Sequence, residues 1–214
     1  MRWSLSKLET YEQCPAKFNY KYNLKLEEKQ NEYAERGSRV HAELEGSIKG
    51  TNELTGKLEF YHGFLQQLKR GSVPIVTEQE LRLGPDWTPV SGAEGTTWVI
   101  AYLDLIRVDG ETAHIWDWKT GKIYPKHESQ KDLYSLMTFC TYPEVQSITF
   151  THVYVDQGKN KQKEYTRAGH MPTKSDWAVR VAKMEGETQF IPNPSYLCRF
   201  CHFSSKFNNG PCRF

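Results

Sequence analysis

Thr97-Trp98-Val99-Ile100-Ala101-Tyr102-Leu103-Asp104-Leu105-Ile106-Arg107-Val108-Asp109-Gly110-Glu111-Thr112-Ala113-His114-Ile115-Trp116-Asp117-Trp118-Lys119 is the stretch on which the fold turns. Residues 97–108 alternate in character as a half-buried strand does, and Asp109-Gly110 is a strong two-residue hairpin signal. Residues 113–119 then read as the returning strand. Side chains alternate across a strand. Ile100, Tyr102 and Asp104 therefore share one face, and Ile115, Asp117 and Lys119 share one face of the return. A turn at Asp109-Gly110 brings Asp104 near Asp117. Two carboxylates and an ammonium then gather at one end of an apolar sheet.

Outward from this hairpin, the texture changes on both sides. Residues 4–22 carry Leu5, Leu8, Tyr11 and Phe18 at helical spacing, with Pro15 marking a break or a fresh helix start. Residues 27–35 are polar and read as a loop. Helices are expected over 38–49, with Val40, Leu44 and Ile48 on one stripe, and over 56–70, with Leu58, Leu65 and Leu68 inward. Residues 73–83 are β-like, and 84–95, rich in Pro and Gly, form a loop. Residues 129–141 read as a helix, 148–155 and 163–166 as a strand pair, and 173–187 as a helix. The tail from Phe190 has no clear period. This is an α/β arrangement: a small mixed β-sheet flanked by helices.

With 214 residues, 38% apolar and 25% charged, the chain is ordinary globular material, long enough for one large domain. The expected organisation is one domain in three parts: a helical part over 1–70, a core over 71–190 and a Cys-rich tail over 191–214. A net charge of +2 excludes a bulk-basic nucleic-acid binder, so any such contact needs a local patch. No run approaches the roughly 20 apolar residues of a membrane span, and Met1-Arg2-Trp3-Ser4 shows no signal-peptide pattern. The expectation is an intracellular, cytoplasmic protein with no membrane partner, in which clustered cysteines read as metal ligands before disulfides.

The Asp104–Asp117–Lys119 group is costly to bury without a task. A divalent cation between the carboxylates gives it one. Mg²⁺ prefers oxygen ligands and keeps waters, and a metal-activated water attacks phosphodiesters. Lys119 is placed to orient that water or to offset developing charge. Taken alone, Asp117 with Lys119 reads first as a surface ion pair. Gln130 and Tyr134 follow at i and i+4 on one helical face, and Gly37-x-x-x-His41 lies upstream.

Together these segments resemble the RecB-like branch of the PD-(D/E)XK nucleases. The resemblance runs through Ser4-Leu5-Ser6-Lys7-Leu8 to Cys14-Pro15, through Arg36-Gly37-Ser38-Arg39-Val40-His41, and through Ala101-Tyr102-Leu103-Asp104. It continues through Asp117-Trp118-Lys119-Thr120-Gly121 and Gln130-Lys131-Asp132-Leu133-Tyr134. Order and approximate spacing all hold. The resemblance implies a restriction-endonuclease-like core. It implies Mg²⁺ or Mn²⁺ held by His41, Asp104, Asp117 and the Trp118 backbone carbonyl, with Lys119 at the water. Gln130 and Tyr134 would position DNA or support the site. Glu78 or Glu80 stands near the site or on a solvated strand face. Ala101 replaces the usual glycine, a departure that a small side chain in a strand tolerates.

Cys198, Cys201 and Cys212 give three thiols in the tail, and Cys14 stands far upstream. In some RecB-like nucleases such a set holds a [4Fe–4S] cluster, which here would tie the tail to the N-terminal helix. The gap from Cys201 to Cys212 is longer than usual for them, and zinc, with His202 as a further donor, stays open. Cys140 reads as a buried core thiol. Candidate phosphate contacts are Lys119, Lys122, Lys126, Lys131, Arg199, Lys206 and Arg213. Phe200, Phe203 and Phe207 either stack on bases or pack in the tail. The expected activity is a DNA exonuclease on single strands or duplex ends, in recombination, repair or phage DNA metabolism, where the cell is the host's. A protein partner remains possible. The alternatives are a non-catalytic DNA-binding or partner-docking module and a structure-specific endonuclease.

Overall fold

The computed structural model describes residues 1–28, 32–91 and 96–214. Residues 29–31 of the expected polar loop, and 92–95 of the Pro- and Gly-rich loop, lie outside the described residues. The chain forms two compact units, Glu32–Thr173 and Met1–Asn31 with Lys174–Phe214. Among the described residues no helix is long and apolar enough to cross a membrane.

The larger unit is built on a five-stranded mixed sheet in the order β1-β2-β3-β4-β5. The strands are β1 (Val76–Leu83), β2 (Val99–Asp109), β3 (Thr112–Lys119), β4 (Ser147–Tyr154) and β5 (Lys159–Thr166). Neighbours pair antiparallel except β3 and β4, which are parallel. A parallel pair needs a crossover, and α5 (His127–Thr141) supplies it. The β2–β3 hairpin turns where Asp109-Gly110 stands, with Gly110 at φ +55°, a conformation that costs glycine nothing. α3 (Glu32–Lys49) starts earlier than the apolar stripe indicates, because its first turn is polar and carries Glu32 and Glu35. The expected helix over 56–70 is a 3₁₀ segment, Gly56–Tyr61, followed by α4 (His62–Lys69).

Burial fixes which face each strand residue takes. Leu105, Trp116, Trp118 and Val153 pack with Val40 and Leu44 of α3 and Leu65 and Leu68 of α4. On the other face α5 lies against β1, β2 and β4 and buries Leu133, Leu136 and Met137 completely. Ala101, where a glycine was expected, is buried opposite Leu81 and fits the ladder without distortion. Cys140, expected in the core, is half-buried at the last turn of α5. β5 begins four residues before the expected 163, since its first six residues are all exposed and carry no apolar alternation.

The smaller unit joins α1 (Leu5–Gln13) to α7 (Lys174–Glu185), after the short α6 (Arg167–His170) of the larger unit. Pro15 opens a fresh helix, α2 (Pro15–Phe18), as its fixed φ allows at a first helical position. Arg180 forks onto Glu12 at 2.7 and 2.8 Å. Its guanidinium also lies 4.2 Å above the Trp177 ring. Trp3 stacks on Trp177 at 6.5 Å.

Candidate nuclease site and cysteine cavity

The β2–β3 register continues from Leu105↔Trp116 to set Asp104 across from Asp117. Ladder pairing stops at Leu105, and the Asp104 carboxylate takes over: the Trp118 N–H donates to its Oδ2 at 2.7 Å. This side chain stands in for a lost ladder carbonyl, which is why an aspartate is tolerated inside an apolar sheet. The other Asp104 oxygen lies 3.2 Å from His41 Nδ1 on α3. Burial works against charge on His41, but the bonded Asp104 carboxylate and the charge of Asp117 outweigh it and raise its pKa.

Asp117 faces α5 with its side chain only 3% exposed. Gln130 Nε2 donates to its Oδ1 at 2.8 Å. Lys119 meets Oδ2 as an ion pair, yet that oxygen accepts no hydrogen bond of good geometry. His152 of β4, wholly buried, has Nε2 3.7 Å from the same oxygen, and neither of its ring nitrogens makes a hydrogen bond among the described residues. Burial chiefly, with help from Lys119, drives the His152 pKa down to about 3, so the ring is neutral. His127 Nδ1 is 3.0 Å from the Tyr154 hydroxyl. Burial and then the charges of Lys119 and Lys126 lower its pKa to about 4. His127 and His152 carry no motif; their only sequence signal is a polar ring on the strand and helix that flank Asp117.

Two further contacts hold the loop after Lys119. Arg36 of α3 pairs with Asp156, Nη1 to Oδ2 at 2.8 Å, and the Gly121 N–H donates to the same carboxylate at 2.5 Å. Of the two glutamates on β1, Glu80 is engaged by Arg82, 2.9 Å from Nη2, and by the Tyr102 hydroxyl at 2.9 Å. Glu78 lies across from Asp104. Burial, followed by the nearby charges of Asp104 and Glu45, raises its pKa. Its φ of +50° is costly for a side chain other than glycine, and such outliers cluster at functional sites.

The expected residues His41, Asp104, Asp117, Lys119 and Gln130 therefore meet. Tyr134 stands one helical turn beyond Gln130, half-buried. Lys131 does not reach outward as a phosphate contact: it is 2% exposed and bonded to Glu128 at 2.8 Å, because its position on α5 points into the core. Among the described residues no three His, Cys, Asp or Glu side chains converge on one point, and Mg²⁺ is commonly held by one or two carboxylates with carbonyls and waters. Lys119 takes the Asp117 oxygen and His41 takes Asp104, so the ligand positions are filled by mutual pairing. A buried carboxylate oxygen whose one charged neighbour among the described residues is an ammonium suits a cation in its place.

In the smaller unit Cys14, Cys198, Cys201 and Cys212 line one cavity of about 110 Å³. A single water needs roughly 10–15 Å³ of such space, so the cavity, which Lys17, Tyr20, Phe203 and Phe214 also line, has room for more than one small ion. The Asn193 N–H points to Cys14 Sγ at 3.4 Å and the Ser195 N–H to Cys198 Sγ at 3.4 Å. The long interval from Cys201 to Cys212 is taken up by α8 (Ser205–Asn208), a left-handed Asn209 and a return to the Phe203 carbonyl, 2.8 Å from the Cys212 N–H. His202 is not among the cavity residues; Phe203 is, buried against Tyr20 at 5.5 Å, while Phe200 and Phe207 are exposed. Burial raises the Cys201 thiol pKa, and the neighbouring Cys14 and Cys198 add to the rise.

No curated protein matches the chain. Among solved structures, one named SSO0001 is 17% identical, with 94% of this chain and 83% of that chain covered and a TM-score of 0.48. A protein from Eubacterium rectale, named a putative exonuclease, is 12% identical, with 94% and 87% covered and a TM-score of 0.54. That similarity concerns the fold. The model of the PD-(D/E)XK nuclease superfamily matches residues 2–205. The chain belongs to the PD-(D/E)XK nuclease superfamily.

Proposed function

We propose that the chain is a divalent-metal-dependent DNA exonuclease acting on single strands or duplex ends. The observation that carries this reading is the buried Asp117 carboxylate, bonded by Gln130 on one oxygen and faced on the other by the Lys119 ammonium and the His152 ring. His41, Asp104, Asp117 and the Trp118 carbonyl would hold Mg²⁺ or Mn²⁺. The chemistry such an ion supplies is activation of a water and neutralisation of charge on the phosphate oxygens. The remaining roles belong to the chain. Trp118 N–H fixes Asp104, and Gln130 fixes Asp117, so that both carboxylates are oriented before substrate arrives. With a cation offsetting the Asp117 charge, Lys119 would be free to steady the attacking water and the developing negative charge with its ammonium. His41, on α3, closes the site from the opposite side of Asp104. Glu78 supports the same corner from β1. Tyr134, on the Gln130 face of α5, helps position the strand. Lys119→Ala is expected to lower cleavage of labelled linear single-stranded DNA by about 10²-fold or more. A circular single strand should resist the wild-type enzyme; its cleavage at the linear rate would exclude end-dependence.

The four cysteines support a [4Fe–4S] cluster in the smaller unit rather than zinc. Four thiolates on a cluster match four cysteines about one cavity. The cluster's task is architectural, tying Cys14 to the C-terminal segment. Protein purified without oxygen should show broad visible absorption with iron and sulfide, lost in Cys198→Ser. Stoichiometric zinc without iron would overturn this assignment and leave the nuclease reading standing.

A further inference from the structure

The edge strand β5 carries Lys159, Lys161 and Lys163 at alternate positions, hence on one face. The register identifies that face. Tyr154 pairs with Lys159 and His152 with Lys161, while on the other side of β4 Asp117 pairs with His152 and Lys119 with Tyr154. Two rows therefore cross the sheet, Asp117–His152–Lys161 and Lys119–Tyr154–Lys159. Lys163 confirms the side, bonding Asp132 of α5 at 2.8 Å. Lys159 and Lys161, by contrast, are exposed and have no acidic partner among the described residues. At the head of the second row, the segment after Lys119 holds Tyr124, 48% exposed. Lys126 Nζ sits 5.9 Å from the Tyr124 ring centroid, and the His127 ring meets Tyr124 edge-on at 5.6 Å. His127 in turn meets His152 edge-on at 5.8 Å. A line of aromatic rings thus leads from the buried carboxylate to an exposed ring bordered by a cation.

We propose that the exposed edge of this face, beside the start of α5 that covers its centre, is the track for single-stranded DNA, with Lys159 and Lys161 on its phosphates and Tyr124 stacking on a base beside the reactive site. The inference rests on the nuclease reading of Asp117 and Lys119 and assigns the surface that delivers the strand. A chain of net charge +2 needs a local patch to hold a polyanion, and two unpaired lysines in register with the site supply it. Lysines on an edge strand also discourage edge-to-edge association, but that task does not require them on the face of Asp117.

The test is fluorescence anisotropy of a labelled single-stranded oligonucleotide over a range of salt, with a chelator present so that binding is read without cleavage. The Lys159→Gln, Lys161→Gln double variant should bind more weakly and flatten the slope of log K against log salt by about 1.4, two contacts at about 0.7 each. Tyr124→Ala should weaken binding by roughly 5- to 150-fold with an unchanged slope, and weaken duplex binding less. A double variant that binds with wild-type affinity and slope, yet self-associates, would assign the lysines to edge protection and overturn the track. Equal loss of single-strand and duplex binding in Tyr124→Ala would overturn the stacking role. If the variants behave as expected but the wild type cuts no DNA in any divalent metal, the track stands and the nuclease reading fails.

Discussion

Asp117 touches Gln130, Lys119 and His152, three side chains from three elements, and each contact answers a different demand of a buried carboxylate. Gln130 satisfies one oxygen, Lys119 balances the charge, and His152 stays neutral because burial denies it a proton. Lys119 was legible in the sequence, since strand alternation and the hairpin signal place Asp104, Asp117 and Lys119 together, and Gln130 was expected at the site through the family resemblance. His152 was not, because a lone histidine in an apolar strand carries no pattern until β4 is known to lie parallel to β3. A half-buried ring allows a clean test of pH. His114 stacks on Trp116 at 3.8 Å and bonds Thr151 at 2.9 Å. Burial, then Arg107, lowers its pKa to about 4. The folded state therefore resists a proton that the unfolded chain accepts below about 6.5. Stability from this group is complete above that pH and is lost as pH falls toward 4. In His114→Gln, the melting temperature should fall less steeply between pH 7 and 4.5 than in the wild type. An identical slope would remove His114 from the account.

At the scale of elements, the strongest local chemistry was read best. Pro15 opens α2, Asp109-Gly110 turns the hairpin, and Gly37-x-x-x-His41 sits on α3. What escaped was the first half of the polar strand β5, expected only from residue 163, because its six leading residues are exposed and leave no alternation to detect. The interval from Cys201 to Cys212 also yields only to structure. A Cβ added to Gly210 would lie 2.3 Å from the Phe203 carbonyl carbon, a backbone atom that cannot swing aside. Gly210→Ala should therefore disrupt the return of Cys212, read as faster proteolysis of the C-terminal segment. Gly37 is the contrasting case: its added Cβ meets only Thr120 Oγ1, at 3.5 Å. Gly37→Ala should stabilise α3 by up to about 1 kcal/mol; a lower melting temperature would mean that α3 must approach the Thr120 loop more closely in the working enzyme.

Over the whole molecule, the superfamily match extends from residue 2 to residue 205 and so takes in both compact units. The α/β class, the mixed sheet and its flanking helices followed from periodicity and turn chemistry. The division into Glu32–Thr173 and the joined terminal segments did not, because contacts between distant stretches such as α1 and α7 leave no local mark. The same holds for charge: a total of +2 says little, while the register of β4 and β5 concentrates two unpaired lysines on the face of the carboxylates. The central claim is that Asp117 and its neighbours cut DNA with a divalent metal. The most direct measurement is degradation of labelled linear single-stranded DNA in Mg²⁺ or Mn²⁺ by the wild type and by Asp117→Ala, with circular dichroism confirming that both are folded. The account predicts metal-dependent cleavage by the wild type and a loss of about 10²-fold or more in the variant. Undiminished cleavage by folded Asp117→Ala, or no cleavage by the wild type in either metal, would contradict it.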